Sequence, residues 1–265
     1  MMSPSEFIGF YRGVGKKKAA APAPRLFCLA VLAGVLIGMG AAVSNTAGHA
    51  LENLSVIRVV CGMLFPFGLI MVIFTGAELF TGNCLMTIPV LEREVRLSGM
   101  LRNWGIVYLG NFAGAAALAA AVVYSGQMNA SGGQLAVCAV RTAAAKCALP
   151  FGRAVVLGIL CNVLVCAAVT CSLCAKSAPG RAIGAFLPIS FFVICGFEHS
   201  VANMFYIPVG LLALQVPQYA AAAQTLDTSA LTWGGFLLGN LLPVTLGNLL
   251  GGCGFAALFW YGHRS

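Results

Sequence analysis

Gly196-Phe197-Glu198-His199-Ser200-Val201-Ala202-Asn203-Met204-Phe205-Tyr206-Ile207-Pro208-Val209-Gly210 sets a glutamate and a histidine side by side between two apolar runs, residues 182–194 and 205–216. Ionisable groups at membrane depth are costly and usually mark an ion or proton path. A glycine opens the stretch and a proline closes it, which predicts an interrupted helix rather than a straight span. Transporters build midplane sites at such breaks, where freed backbone lines a cavity. Read alone, the stretch fits a kinked helix with one satisfied buried histidine equally well.

A second copy of the pattern changes that balance. Gly76-Ala77-Glu78-Leu79-Phe80-Thr81-Gly82-Asn83 shares G-x-E-x-x-x-x-N with Gly196 through Asn203, and each copy is followed by Ile-Pro, at Ile88-Pro89 and Ile207-Pro208. Each is preceded by an apolar run carrying a proline, Pro66 or Pro188. A further pair, Gly110-Asn111-Phe112-Ala113-Gly114 and Gly247-Asn248-Leu249-Leu250-Gly251, shares G-N-x-x-G. Corresponding breaks in two halves of a chain are the best sequence pointer to a transporter binding site.

Working outward, the whole chain reads as a polytopic membrane protein. Of its 265 residues 60% are apolar and 8% charged, against about 25% charged in a soluble domain. The net charge is +8, but the basic residues lie in short connections and form no nucleic-acid patch. Residues 26–43 make an apolar run too long for a signal-peptide core of roughly 7–15 residues, so they read as a first span. Five further spans follow, at residues 56–90 (broken), 104–124, 154–175, 182–216 (broken) and 231–260. A simple span needs about 20 residues; the two broken ones have 35 each, enough for two half-helices and a re-entrant loop. The fold class is therefore all-α, six transmembrane helices in an inverted 3+3 repeat with helices 2 and 5 broken. The repeat halves are residues 25–125 and 150–262, approximately, within a channel domain of residues 25–265.

Residues 1–24 read as a separate N-terminal segment. Ser3-Pro4-Ser5-Glu6 is a capping box with proline at the first helical position, and Phe7, Phe10, Tyr11 and Val14 recur at helical spacing. This predicts a short amphipathic helix at the membrane face or against a pore mouth. With both termini on the cytoplasmic side, the inside carries Arg12, Lys16, Lys17, Lys18, Arg25, Arg93, Arg96, Arg102, Lys176, Arg181 and Arg264. The outside carries only Arg58, Arg141, Lys146 and Arg153, as the positive-inside rule requires. Residues 139–146 suggest a short outer helix. Arg141, Lys146 and Arg153 fit an electropositive outer mouth and equally well ordinary solvated loop charges.

The eleven cysteines are scattered through apolar runs with no disulfide framework. Cys171-Ser172-Leu173-Cys174 is a C-x-x-C without a second pair or a neighbouring histidine, so helix packing is favoured over redox or metal chemistry. No cofactor or metal set is expected.

Two stretches carry a resemblance. Gly76 through Gly82, together with Gly158-Ile159-Leu160-Cys161-Asn162-Val163-Leu164-Val165-Cys166-Ala167, resembles the two signature motifs of the formate/nitrite transporter family, and Gly196 through Gly210 resembles its histidine-bearing loop. The resemblance covers the chain from about Leu26 onward. It implies an aquaporin-like fold, a homopentamer with one pore per subunit in a bacterial cytoplasmic (inner) membrane, and passage of small monovalent anions or their acids. By motif it implies that Thr81 and His199 face each other at mid-pore. Leu79, Phe80, Val165 and His199 would line a cytoplasmic constriction, and Phe65, Leu69 and Phe192 an outer one. Lys146, Asn162, Glu198 and Asn203 would be polar support.

The residues support that chemistry independently. An anion entering an apolar constriction loses hydration at a cost of several kcal/mol. Cationic mouths, half-helix N-termini and a proton donor reduce the cost, and His199 is the one histidine in an apolar span. Thr81 can both donate and accept. Glu78 and Glu198, at matching positions, are expected to accept backbone N–H groups of the two loops. The expected function is a channel for formate and nitrite with protonation at the histidine; hydrosulfide is the near alternative. A membrane-embedded enzyme using Glu198 and His199 lacks a nucleophile or metal set, and a water or ammonia channel is a third reading.

Overall fold

The computed structural model describes residues 1–264. Helix α1 (Pro4–Ala20) carries the expected capping box: the Ser3 hydroxyl accepts from Glu6 N–H and the Glu6 carboxylate accepts from Ser3 N–H. It is longer than the sequence suggests and includes Lys16, Lys17 and Lys18. Helix α2 (Ala23–Gly48) is the first span. Helices α3 (Leu54–Leu64) and α4 (Pro66–Thr75) run on through helical Phe65 as a second span of 22 residues. After a break come a 3₁₀ turn (Gly82–Met86) and the short α5 (Thr87–Leu91). Helix α6 (Leu97–Tyr124) is the third span.

The second half follows the same order. Helix α7 (Gln134–Cys147) precedes the fourth span α8 (Phe151–Cys174). The fifth element is split into α9 (Ala178–Cys195) and α10 (Ser200–Ala213). After α11 (Pro217–Ala222), a π-helical segment (Gly235–Leu241) leads into α12 (Leu242–His263). Six helical elements are long and apolar enough to cross a membrane, and the described residues contain no strand.

The G-N-x-x-G motifs act within the subunit. A Cβ at Gly114 would overlap the Val31 carbonyl, and one at Gly251 the Ile159 carbonyl. Small residues here bring α6 onto α2 and α12 onto α8. Outward faces carry leucines such as Leu109, Leu238, Leu250 and Leu258, as lipid-facing or assembly-facing helices do.

The amphipathic face of α1 packs inward. Phe7 and Tyr11 are fully buried in a cluster with Cys84, Leu85, Ile88 and Ala256. Gly15 abuts Pro89. On the outer side of α1, Arg12 pairs with Glu92 (3.4 Å) and Lys16 with Glu94 (2.6 Å). Of the two placements open from the sequence, the membrane face and a pore mouth, α1 takes the second, with Tyr11, Val14 and Lys18 lining a cavity beside the first break.

Candidate functional site

Both breaks are built alike. Helix α4 ends at Gly76 with φ +68° and α9 at Gly196 with φ +72°, a left-handed cap that favours glycine. Two residues on, Glu78 N–H donates to Leu29 O (3.1 Å) and Glu198 N–H to Leu157 O (3.3 Å). Next, Phe80 N–H donates to Asn111 Oδ1 and Ser200 N–H to Asn248 Oδ1, both at 2.9 Å. The Asn111 amide donates to Ala30 O and Glu78 O, and the Asn248 amide to Gly158 O and Glu198 O, all within 3.0 Å. Each asparagine thus satisfies two backbone groups that the break exposes, a necessity where no water can reach them, and ties them to a carbonyl of the neighbouring span, α2 or α8. The motif was visible in the sequence as a repeat marker; its clamping role was not.

The two glutamates do not accept backbone N–H groups as expected, because Leu29, Leu157 and the asparagines meet those needs. They accept from side chains instead. Glu198 takes the Lys146 ammonium (2.7 Å) and the Asn203 amide (2.6 Å), and Asn203 also donates to Asn240 Oδ1 (2.7 Å). Glu78 takes the Lys18 ammonium (2.7 Å) and the Asn83 amide (2.7 Å), and Asn83 also donates to Asn103 Oδ1 (2.8 Å). Asn240 and Asn103 close each ring by donating to the carbonyls of Lys146 and Lys18. Sequence reasoning found Lys146 and missed Lys18, Asn103, Asn111, Asn240 and Asn248. The available signal was spacing: Asn103 to Asn111 and Asn240 to Asn248 are each eight residues apart.

Three cavities lie in series along the axis between the breaks. One, of about 380 Å³, is lined by His49, Arg141, Lys146, Phe65, Phe192, Glu198, His199, Asn203 and Tyr206. The Lys146 ammonium lies 5.4 Å from the Tyr206 ring centre. The opposite one, of about 180 Å³, is lined by Tyr11, Lys18, Leu69, Leu79, Gly82 and Asn83. A central space of about 10 Å³ shares lining residues with both and is enclosed by Ile37, Phe65, Leu69, Leu79, Val165, Ile189, Phe192 and His199. Phe65 and Phe192 border both the first and the central space, their rings edge to face at 5.6 Å. Leu69 and Leu79 border both the second and the central space. The narrowing is therefore double, with Leu69 on the Leu79 side rather than with Phe65.

Phe80 is absent from all three of these cavities. Its ring lies edge-on to Tyr108 (4.9 Å) and near Trp104 (6.2 Å), in a groove that opens beside α6 and α12. Its backbone N–H is its link to the break. Arg153 is exposed and also lies off the vestibule. Asn162 stands behind the first break, where its amide donates to Thr81 O (3.3 Å) and Asn248 O (2.7 Å). Cys171 is exposed and Cys174 buried, both as free thiols.

Thr81 and His199 meet, as the resemblance implies: Thr81 Oγ1 and His199 Nε2 are 2.8 Å apart, both groups buried. His199 also caps α10, with Nδ1 accepting from Ala202 N–H at 3.1 Å. A backbone N–H can only donate, so the neutral ring carries its proton on Nε2. Nε2–H then donates to Thr81, and the threonine hydroxyl proton is left to face other acceptors. A charged ring would need a proton on Nδ1, against the Ala202 N–H.

A membrane protein with six helical spans, two matched breaks and a narrow apolar passage between two lysine-bearing vestibules is a channel or transporter rather than an enzyme. The profile of the family described as "Formate/nitrite transporter" matches residues 6–262, and the chain belongs to that family. It is 39% identical over 199 residues to the formate channel FocA of Haemophilus influenzae, covering 74% of this chain and 70% of that one. To a probable formate transporter of Methanothermobacter thermautotrophicus it is 34% identical, covering 98% and 96%. Among solved structures it superposes on a pentameric formate channel with formate bound, at a TM-score of 0.80 and 34% identity over 92% of this chain and 97% of that one.

Proposed function

We propose that the protein conducts formate and chemically similar small anions of weak acids, nitrite among them, through a pore in each subunit of a homopentamer. The Thr81–His199 pair at the centre of an otherwise apolar passage carries this reading. The relatives named for formate and the pentameric neighbour support it. Both termini lie in the cytoplasm of a bacterial inner membrane, consistent with the distribution of arginine and lysine.

Passage proceeds in three stages. Each vestibule offers an ammonium, Lys146 or Lys18, whose charge is partly balanced by its glutamate. The anion then meets the Phe65–Phe192 or Leu69–Leu79 narrowing and sheds water. Between them it finds the Thr81 hydroxyl proton and the N-terminus of α10, both favourable to negative charge. There the imidazole takes up one proton from vestibule water to become imidazolium and donates it to formate, giving neutral imidazole and formic acid. An apolar enclosure disfavours both charged partners, so it favours the neutral pair. The imidazolium is transient, because it forms at the cost of the α10 cap. Hydrosulfide, a small anion of a weak acid, is accommodated by the same steps and is the second reading.

Purified protein in proteoliposomes, challenged with formate, nitrite and hydrosulfide at equal concentration, tests this. Formate and nitrite fluxes at least ten-fold above protein-free vesicles are expected. Flux of hydrosulfide alone would select the second reading, and flux of none would refute both.

A further inference from the structure

The groove beside Phe80 belongs to neither vestibule and opens to the outside of the bundle. It holds about 480 Å³ between α6 on one side and the end of the π-helical segment with the start of α12 on the other. Phe80, Trp104 and Tyr108 line one wall and Leu241, Leu242 and Thr245 the other. Gly105 leaves the gap, since a Cβ there would meet nothing within 4 Å. Tyr108 and Thr245 are 137 residues apart, and their hydroxyls are hydrogen-bonded across the groove at 2.9 Å. Asn103 and Asn240 have the same separation, as do Asn111 and Asn248. The bond therefore joins equivalent positions of the two halves and lies on the axis that relates them. In an inverted repeat that axis runs in the membrane plane, which puts the groove at the bilayer midplane. The medium at that depth is hydrocarbon.

We infer that this groove is a binding site for one acyl chain of a membrane lipid, seated at mid-depth against Phe80. The polar atoms of its lining side chains are already paired. The Tyr108 and Thr245 hydroxyls hold each other, and the Trp104 indole N–H donates to Asn83 O at 3.0 Å. A headgroup or a water would find little to bond there, whereas a hydrocarbon chain asks for nothing polar. Left empty, the lining would forfeit dispersion contacts. On the α12 side the lining extends from Leu237 to Thr245, about 12 Å of helix, so the hollow is elongated along the spans as an acyl chain is. The hollow is a product of the residue at one position: where α6 has Gly105, the equivalent site in the second half carries Leu242. The bound chain bears on the Phe80 ring, one residue from Thr81, and so backs the tip that supplies the pore hydroxyl. The inference needs the membrane placement of the chain and not the identity of the anion. A second subunit is the rival occupant, and it would shut lipid out of the groove.

The test is quenching of Trp104 fluorescence in bilayers of phosphatidylcholine that carries bromine at successive depths along its acyl chains. Trp233→Phe and Trp260→Phe leave Trp104 as the one tryptophan of the chain. Its quenching should be strongest with bromines nearest the chain ends, as a midplane site requires. Gly105→Leu, which puts a good helix former into open space, should reduce that quenching about two-fold. Gly105→Met should do the same, so the outcome does not hang on the fit of one side chain. Leu109→Phe, on the same helix but outside the groove, should leave quenching unchanged. Absence of quenching in the Trp104-only protein at its full assembled mass would give the groove to a neighbouring subunit and overturn the inference. Quenching that neither Gly105 variant lowers would mean that chains only graze the helix face, and would overturn it equally. Either result leaves the proposed conduction of formate standing.

Discussion

The two breaks share their support and differ at their tips. Glu78 and Glu198, Asn83 and Asn203, Asn103 and Asn240, Asn111 and Asn248, and Lys18 and Lys146 make matching bonds in the two halves. At the tips, Leu79 stands where the second break has His199, and Thr81 where it has Val201. The consequences are local and visible. His199 caps a 14-residue helix, α10, whereas Leu79 has no atom to offer and the first break re-enters as a 3₁₀ turn before α5. The backbone support is therefore duplicated, while the polar chemistry is split so that one tip supplies the hydroxyl and the other the imidazole.

The sharpest way to break this comparison is to remove the shared support. Asn111→Leu leaves Phe80 N–H and Glu78 O buried without a partner, and Asn248→Leu does the same to Ser200 N–H and Glu198 O. Each unsatisfied buried group costs roughly 1–3 kcal/mol, so either variant should lose most of its folded, monodisperse yield in detergent. Equal losses support the equivalence of the halves. Normal yield from one of the pair would show that its break is held some other way.

A smaller effect separates the two mouth helices. Helix α1 is tied to the 92–94 segment by surface ion pairs, while the one ion pair that α7 makes among the described residues is the shielded Lys146–Glu198. The hydrogen bond and charge of Lys16 hold the Glu94 carboxyl below its usual range. A lowered carboxylate stabilises above its ordinary pKa and ceases to do so as the pH falls through the lowered value. Intrinsic-rate-corrected amide exchange in α1 should therefore rise modestly, about two-fold, below the ordinary carboxylate range. Lys16→Ala should reproduce that rise at neutral pH. Exchange in α7 should respond to neither change.

Much of the architecture was legible because it is written as periodicity and repetition. Apolar runs gave six spans, and the repeated G-x-E-x-x-x-x-N gave the place of both breaks. The capping box gave the start of α1. What stayed hidden depends on partners distant in sequence. Lys18 lies 60 residues from Glu78, and its run of three lysines reads as solvated charge. Its bond also crosses the boundary that sequence reasoning drew at residue 24. Phe80 sits in a stretch whose neighbours line the pore, but loop geometry turns its ring toward Tyr108. Only the fold shows which face of an irregular segment looks inward.

The central claim is that the imidazole of His199, bridged to Thr81, lets a weak-acid anion cross the apolar narrowing. The most direct measurement is formate flux against pH in proteoliposomes for wild type, His199→Asn and His199→Phe, with assembly checked by mass in detergent. Both variants should assemble. His199→Phe should lose at least ten-fold in flux, and His199→Asn should keep at most a slow leak without the wild-type pH dependence. A His199→Asn protein with the wild-type rate and the wild-type pH profile would contradict the account and leave the imidazole only a structural cap for α10.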